Sequence, residues 1–362
     1  MSQSPLQLNA IDVLHELTEM NRKLVQGMRT LSRLRHDDIQ VGTTPREPVY
    51  REDKLVLYRY TPLVERPFPI PILIVYALVN RPAVADLQPD RSLVRNLLAQ
   101  GMDVYLIDWG YPSRADRYLT LEDYITGYLD TCVDVVRARH GLEQINLLGI
   151  CQGGTFSVCY AALYPEKVKN LTVMVAPIDF HATQEGRSGL LNLWGLGLDV
   201  DQLVEATGNI PGELMNFGFV MLKPLQLNFQ KYLDALEVMD DEQKLLNFLR
   251  MEEWIFDSPD LAGEAFRQFI KDFFHANKLV RGEAEIGGRR VDLRRLTMPV
   301  LNIYAEQDHL VPPPSSIALG DYVGTTDYTL RAFPVGHIGM YVSGKAQRDL
   351  APTIASWLKA RA

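Results

Sequence analysis

Apolar residues recur at helical spacing across residues 7–33, at Leu8, Ile11, Leu14, Leu17, Leu24, Met28 and Leu31, which predicts an amphipathic helix. The pattern does not say whether that helix packs on its own chain or against another. Residues 47–60 alternate enough for a strand or hairpin arm. Pro67, Pro69 and Pro71 then punctuate the chain just before ILIVYALV, a continuous apolar run of the kind buried in a parallel sheet. Short apolar runs alternate with helical ones from there. Residues 104–108, 145–150 and 171–176 read as strands, separated by helices over 92–100, 121–139 and from 151 to about 164. The rhythm returns near the end, with strands at 300–305 and 328–333 and helices at 315–321 and 346–360. Strands separated by helices imply βαβ units and a mostly parallel sheet flanked by helices.

The alternation is interrupted between about residues 181 and 290. That stretch shows no βα rhythm, yet it holds nine of the 13 Phe and two of the four Trp. So much aromatic surface must be buried or serve as a greasy wall. It reads as a mainly helical cap inserted in the sheet domain, covering the catalytic edge. The expected organisation is therefore an N-terminal helical segment (1–40), an α/β core (41–180 and 291–362) and the cap insertion (181–290).

Composition narrows the function class. A net charge of −8 over 362 residues, with a pI near 5.5, argues against a nucleic-acid binder. No stretch approaches 18 consecutive apolar residues, so no membrane-spanning helix is expected. The first residues include acidic ones and no apolar core, unlike a secretory signal. Three cysteines, Cys132, Cys151 and Cys159, are too few for a disulfide framework and fit a reducing, cytoplasmic setting.

The strongest local signal is Gly149-Ile150-Cys151-Gln152-Gly153-Gly154, lying between a strand and a helix. It is a nucleophile elbow, G-x-S-x-G, with cysteine in place of serine. Small neighbours let the backbone turn sharply and lift the side chain above the sheet, and the following helix points its positive end at the sulfur. A buried structural cysteine in an ordinary glycine turn is the plainer alternative.

An elbow nucleophile needs an acid and then a histidine downstream. Of the seven histidines, His15, His36 and His140 precede Cys151, and His181 and His275 fall in the insertion. His337 sits in a turn directly after the last strand and is the expected general base. Asp308, after the strand VLNIYA, is the preferred acid. Asp179, after LTVMVAP, is the alternative, or it caps the entry to the insertion. His309 is expected to brace its loop. The oxyanion hole is expected to combine the backbone N–H of Gln152 with one near Leu78 or Val79, taken as Val79. No Walker A, G-x-G-x-x-G, H-E-x-x-H or C-x-x-C motif is present, and no metal site is expected.

A thiol suits thioester exchange, because thiolate attacks and thiolate leaves, and the acyl-enzyme stays activated towards an alcohol. An apolar cap would keep water from the acyl group. At this point the chain resembles the catalytic subunits of class III (short-chain) polyhydroxyalkanoate synthases. The carriers are YREDKLVLYRY, ILIVYALVNRP, DVYLIDWGYP, NLLGICQGG, GNIPGELMN, FLRMEEWIFDSPD, FRQFIKDF, QDHLVPP and GHIGMYVSGKAQ, from about residue 45 to the end. The first 40 residues match least.

The resemblance implies an α/β-hydrolase fold, with the nucleophile on Cys151, the acid on Asp308 and the histidine on His337. It implies polymerisation of (R)-3-hydroxyacyl-CoA, chiefly 3-hydroxybutyryl-CoA, onto a growing polyester through an acyl-cysteine. Coenzyme A is then a product, and no cofactor is expected. It further implies a dissimilar second subunit, a homodimer or hetero-oligomer, and a place at the surface of cytoplasmic polyester granules. Two rivals remain: a cysteine hydrolase of the dienelactone hydrolase type, and a non-catalytic scaffold on the same fold.

Overall fold

The computed structural model describes residues 10–184, 187–188, 197–222, 225 and 230–362. Eight strands form one sheet: β1 (Arg46–Glu52), β2 (Leu55–Tyr60), β3 (Ile72–Val75), β4 (Val104–Asp108), β5 (Ile145–Ile150), β6 (Val168–Met174), β7 (Val300–Ala305) and β8 (Tyr328–Phe333). Their spatial order is β1-β2-β4-β3-β5-β6-β7-β8. β1 and β2 form an antiparallel hairpin, β2 runs antiparallel to β4, and the remaining neighbours are parallel. This is the α/β-hydrolase arrangement expected from the sequence. β3, β4 and β5 are buried along their whole length, as continuous apolar strands covered on both faces must be.

The parallel register decides where chemistry can happen. Val75 pairs with Gly149, Ile150 with Met174, and Ala305 with Phe333. The carboxyl ends of β3, β5, β6, β7 and β8 therefore finish along one edge, the edge where open α/β sheets place ligands. The helices flanking the sheet include Leu93–Ala99, Leu129–His140, Gln152–Leu163 and Gly344–Lys359. Gly141 closes the second of them in the left-handed conformation, at φ 63°, as a C-terminal glycine does. The helix expected over 121–139 differs in its opening, where Asp123–Tyr128 is wound as a π-helix. That wider turn brings Tyr124, Ile125, Tyr128 and Leu129 together into the core.

The chain packs as two units: residues 1–41 with 216–256, and residues 42–215 with 257–362. The stretch expected as one cap, 181–290, is thus divided between them. The reason lies in its phenylalanines. Helices Gly263–Gln268 and Phe269–His275 bury Phe266, Phe269, Phe273 and Phe274. Phe269 meets Phe156 of the helix after Cys151 edge-on at 6.1 Å and Phe180 at 5.6 Å, and it stacks on Phe273 at 5.1 Å. This is core, and it props the helix that carries the elbow. We expect Phe269→Ala to cost about 3–5 kcal/mol, read as a lower urea midpoint; a change under about 1 kcal/mol would make the cluster peripheral.

In the other unit, helix Ala10–Leu31 lies against Lys231–Glu237 and Glu242–Phe256. Gly27 makes the close approach, for a Cβ there would stand 2.5 Å from that of Met239. Arg22 pairs with Asp240 at 3.0 Å, Lys23 donates to the Glu237 carbonyl, and Arg250 donates to that of Asp38. The helix thus packs on its own chain, while Ile11, Leu14, Leu17 and Met28 stay exposed. Of the aromatics in the insertion, Trp254 is buried and Phe256 is exposed, while Trp194 lies outside the described residues. No described helix is long and apolar enough to cross a membrane.

Candidate active site

β5 ends at Ile150, and the chain turns at Cys151 with φ 55° and ψ −127°. A positive φ is uncommon and costly outside glycine, so the surroundings must hold it. Cys151 N–H donates to the Met174 carbonyl at 2.9 Å, and the Cys151 carbonyl accepts from Gly154 N–H at 2.9 Å. Close packing explains the neighbouring glycines. A Cβ on Gly149 would come within 2.5 Å of Ser157 Oγ, and one on Gly153 would collide with the carbonyl of Val75. The elbow is wedged against β3 on one side and β6 on the other, which leaves Cys151 half-buried.

The two predicted partners meet. His337 Nδ1–H donates to Asp308 Oδ2 at 2.7 Å, and both residues are about 5% exposed or less. The other carboxylate oxygen of Asp308 accepts from the N–H groups of Leu310 and Val311, each at 2.9 Å. These bonds fix the carboxylate's orientation towards His337. The two loops are tied to each other by Gln307 N–H, which donates to the Val335 carbonyl at 3.0 Å. Burial by itself pushes the His337 imidazole down. The Asp308 carboxylate and Cys151, through charge and side-chain hydrogen bonding, outweigh it and hold His337 well above the ordinary histidine range. The arrangement can take a proton from the sulfur and return it to a leaving group.

Asp179 is elsewhere occupied. It accepts from His181 N–H at 2.9 Å and from Asn277 Nδ2 at 2.8 Å, so it organises the start of the insertion. His181 Nε2–H donates to the Phe274 carbonyl, and His140 Nε2 meets the Tyr105 hydroxyl.

The loop expected to supply one oxyanion donor carries a detail the sequence does not announce. Leu78 N–H donates to the Gln152 side-chain oxygen at 3.0 Å. Among the described residues, the Val79 and Gln152 N–H groups have no protein acceptor; Gln152 opens its helix, where N–H groups are unsatisfied by rule. Gln152 therefore has two parts to play, a backbone donor and a side-chain brace on the β3 loop. Trp109 adds a second brace, donating from Nε1 to the Tyr76 carbonyl at 3.0 Å. Both braces escape sequence reading; the only signal was a long amide beside the nucleophile in GICQGG. We expect Gln152→Leu to slow acylation about tenfold, measured as a pre-steady-state burst, because the β3 loop loses its tether while the backbone donor remains. An unchanged burst would mean that the brace does not set the loop.

Tyr76 and Tyr341 also belong to this neighbourhood. Both are buried, their rings meet edge-on with centroids 6.3 Å apart, and both are electrostatically coupled to Cys151. Neither was singled out from the sequence.

Comparison with known proteins places this geometry. Residues 70–343 match the model of the alpha/beta hydrolase fold, and residues 10–97 match that of the poly-beta-hydroxybutyrate polymerase (PhaC) N-terminus. A monoacylglycerol lipase from Paleococcus ferrophilus shares the fold, with a TM-score of 0.51 and 16% identity over 86% of this chain and 100% of that one. The poly(3-hydroxyalkanoate) polymerase subunit PhaC of Synechocystis sp. is 63% identical over 96% of this chain and 93% of its own. That of Allochromatium vinosum is 54% identical over 99% of both. Carried by an elbow, a buried Asp–His pair and this degree of identity along nearly the whole chain, the conclusion is that the protein belongs to the poly(3-hydroxyalkanoate) polymerases, acyltransferases of the class III catalytic-subunit type.

Proposed function

We propose that the chain polymerises (R)-3-hydroxyacyl groups, chiefly 3-hydroxybutyryl, from their coenzyme A thioesters through an acyl-Cys151 intermediate. The observation that carries this reading is the sulfur of Cys151, lifted by the elbow beside a buried His337 that is anchored by Asp308. His337 takes the thiol proton, and the sulfur adds to the thioester carbonyl. The N–H groups of Gln152 and Val79 hold the oxyanion. The bond to the coenzyme A sulfur breaks, the proton passes to the departing thiolate, and the acyl group remains on Cys151. The 3-hydroxyl of another unit then attacks this thioester and gives its proton to the site. An ester bond forms as the Cys151 bond breaks, and the thiol returns. No cofactor takes part.

The chain's partners in this reading are the thioester, the growing polyester, a dissimilar second subunit and further copies of one or both subunits. Its place is the cytoplasmic granule surface. The fold and nucleophile also suit a cysteine hydrolase, and the products decide. Coenzyme A release from 3-hydroxybutyryl-CoA, followed with a thiol-reactive dye, should be accompanied by recoverable polyester. Free 3-hydroxybutyrate in equal yield would favour hydrolysis, and no release at all would favour a scaffold.

A further inference from the structure

Val79, the second oxyanion donor of the reading above, lies in a loop tied down at several points. Trp109 holds the Tyr76 carbonyl and Gln152 holds the Leu78 N–H. Arg81 pairs with Asp108 at 2.6 Å and lies over the Tyr111 ring at 4.4 Å. Asn80, directly after Val79, has φ 60°, in the left-handed region that asparagine enters more readily than most residues. Its side-chain oxygen accepts from Ser258 Oγ–H at 2.5 Å.

Ser258 comes from far along the chain, two residues after helix Glu242–Phe256, and its segment is firmly seated. A Cβ on Gly212 would collide with the Ser258 carbonyl, and Gly212 N–H donates to Asp260 Oδ1 at 3.0 Å. Ile210 and Leu261 exchange both backbone hydrogen bonds, each at 2.9 Å. The Tyr111 hydroxyl donates to Asp257 Oδ1 at 2.5 Å. A hydroxyl on so anchored a segment can hold its acceptor still. One planar peptide joins the Cα atoms of Val79 and Asn80, so a drift at Asn80 is passed to the Val79 N–H. Oxyanion donors act over a narrow range of distance, and a misplacement of about 1 Å costs up to about 10²-fold in rate.

We propose that Ser258 is a positioning residue for acyl transfer: by holding the Asn80 side chain, it keeps the Val79 N–H aimed at the oxyanion. The inference rests on the acyl-transfer reading above.

The test sets two reactions of Cys151 side by side in the full chain. Single-turnover acylation by 3-hydroxybutyryl-CoA passes through an oxyanion. Alkylation by iodoacetamide displaces iodide from a saturated carbon and forms none. Cys132 and Cys159 are fully buried, so alkylation of the folded protein reads Cys151. Ser258→Ala should lower the saturating acylation rate about tenfold, with the half-saturating thioester concentration and the alkylation rate unchanged. Ser258→Thr keeps the hydroxyl and should recover most of the loss. Asn80→Gly keeps the positive φ accessible and removes the acceptor, so it should match Ser258→Ala. The double variant should be no slower than either single one, because all three break the same bond.

Full acylation in Ser258→Ala would overturn the proposal. So would equal slowing of acylation and alkylation, which would mean a disturbed elbow. A raised half-saturating concentration at an unchanged saturating rate would make Ser258 a binding contact instead. Losses that add in the double variant would show the two residues acting apart, against the proposal. If Ser258→Ala does not fold, Asn80→Gly carries the same comparison of acylation with alkylation. All these outcomes leave wild-type acylation intact. A wild type that is alkylated at Cys151 but never acylated would sink the acyl-transfer reading itself, and this proposal with it.

Discussion

Cys151→Ala should fold normally and release coenzyme A at least about 10⁵-fold more slowly, the scale on which enzymes lose rate with their nucleophile. The side chain is half-buried and small, and alanine occupies the elbow's backbone as cysteine does, so the substitution removes chemistry and little packing. Cys151→Ser should be nearly as slow, because its hydroxyl is far harder to ionise and its acyl ester is less activated. The controls are Cys132 and Cys159, both fully buried. Burial pushes both thiols up, Cys159 to about 12, so neither supplies a thiolate near neutral pH. Their serine variants should keep most activity and lose about 1–3 kcal/mol of stability from a poorly paired buried hydroxyl. Coenzyme A release is the assay, and comparable inactivation at either control would remove Cys151 from its role.

The second large effect separates His337 from Asp308. His337→Gln should abolish detectable acylation. Asp308→Asn should still acylate at a measurable rate but elongate poorly, if the carboxylate serves the incoming hydroxyl. Single-turnover acylation with labelled thioester, followed by a chase, reads both steps. Equal loss of acylation in the two variants would instead make Asp308 only the orienting partner of His337.

The pair also has a signature in stability. An unperturbed histidine titrates near 6.5, whereas His337 in the fold titrates well above that. Below about pH 6.5 the imidazole is protonated in folded and unfolded chains alike, and the pairing contributes in full. As pH climbs through the raised folded value the contribution is lost. The melting-temperature gap between wild type and His337→Gln should therefore be widest in mildly acidic buffer and close on the alkaline side. A gap that widens with pH would contradict the direction of the shift.

The legible parts of this molecule were those governed by short-range patterns. β3 announced itself as ILIV between prolines and later loops, and β7 and β8 fall at residues 300–305 and 328–333 as read. GICQGG could be read because strand, glycine contacts and helix coincide within a few residues. Asp308 and His337 could be placed because each follows a strand whose order the alternation implies; their 2.7 Å contact joins residues 29 apart, a distance no local pattern reports. The insertion was harder. Its phenylalanines carry no label saying whether they face a ligand or a core, and only packing shows Phe269 seated on Phe156 and Phe180. The pairing of residues 1–41 with 216–256 is likewise tertiary, resting on contacts such as Gly27 with Met239. Gln152 as a brace on the β3 loop is visible only once partners can be checked one by one.

The central claim is that the growing acyl group is carried by one sulfur. Rapid acid quench of the protein with 3-hydroxybutyryl-CoA, followed by peptide mass analysis, tests it most directly. The account predicts a hydroxyacyl adduct on the peptide containing Cys151, lost on treatment with hydroxylamine and absent from Cys151→Ala. An adduct on Cys132 or Cys159, or polymer formation with no adduct on Cys151 at any quench time, would contradict it.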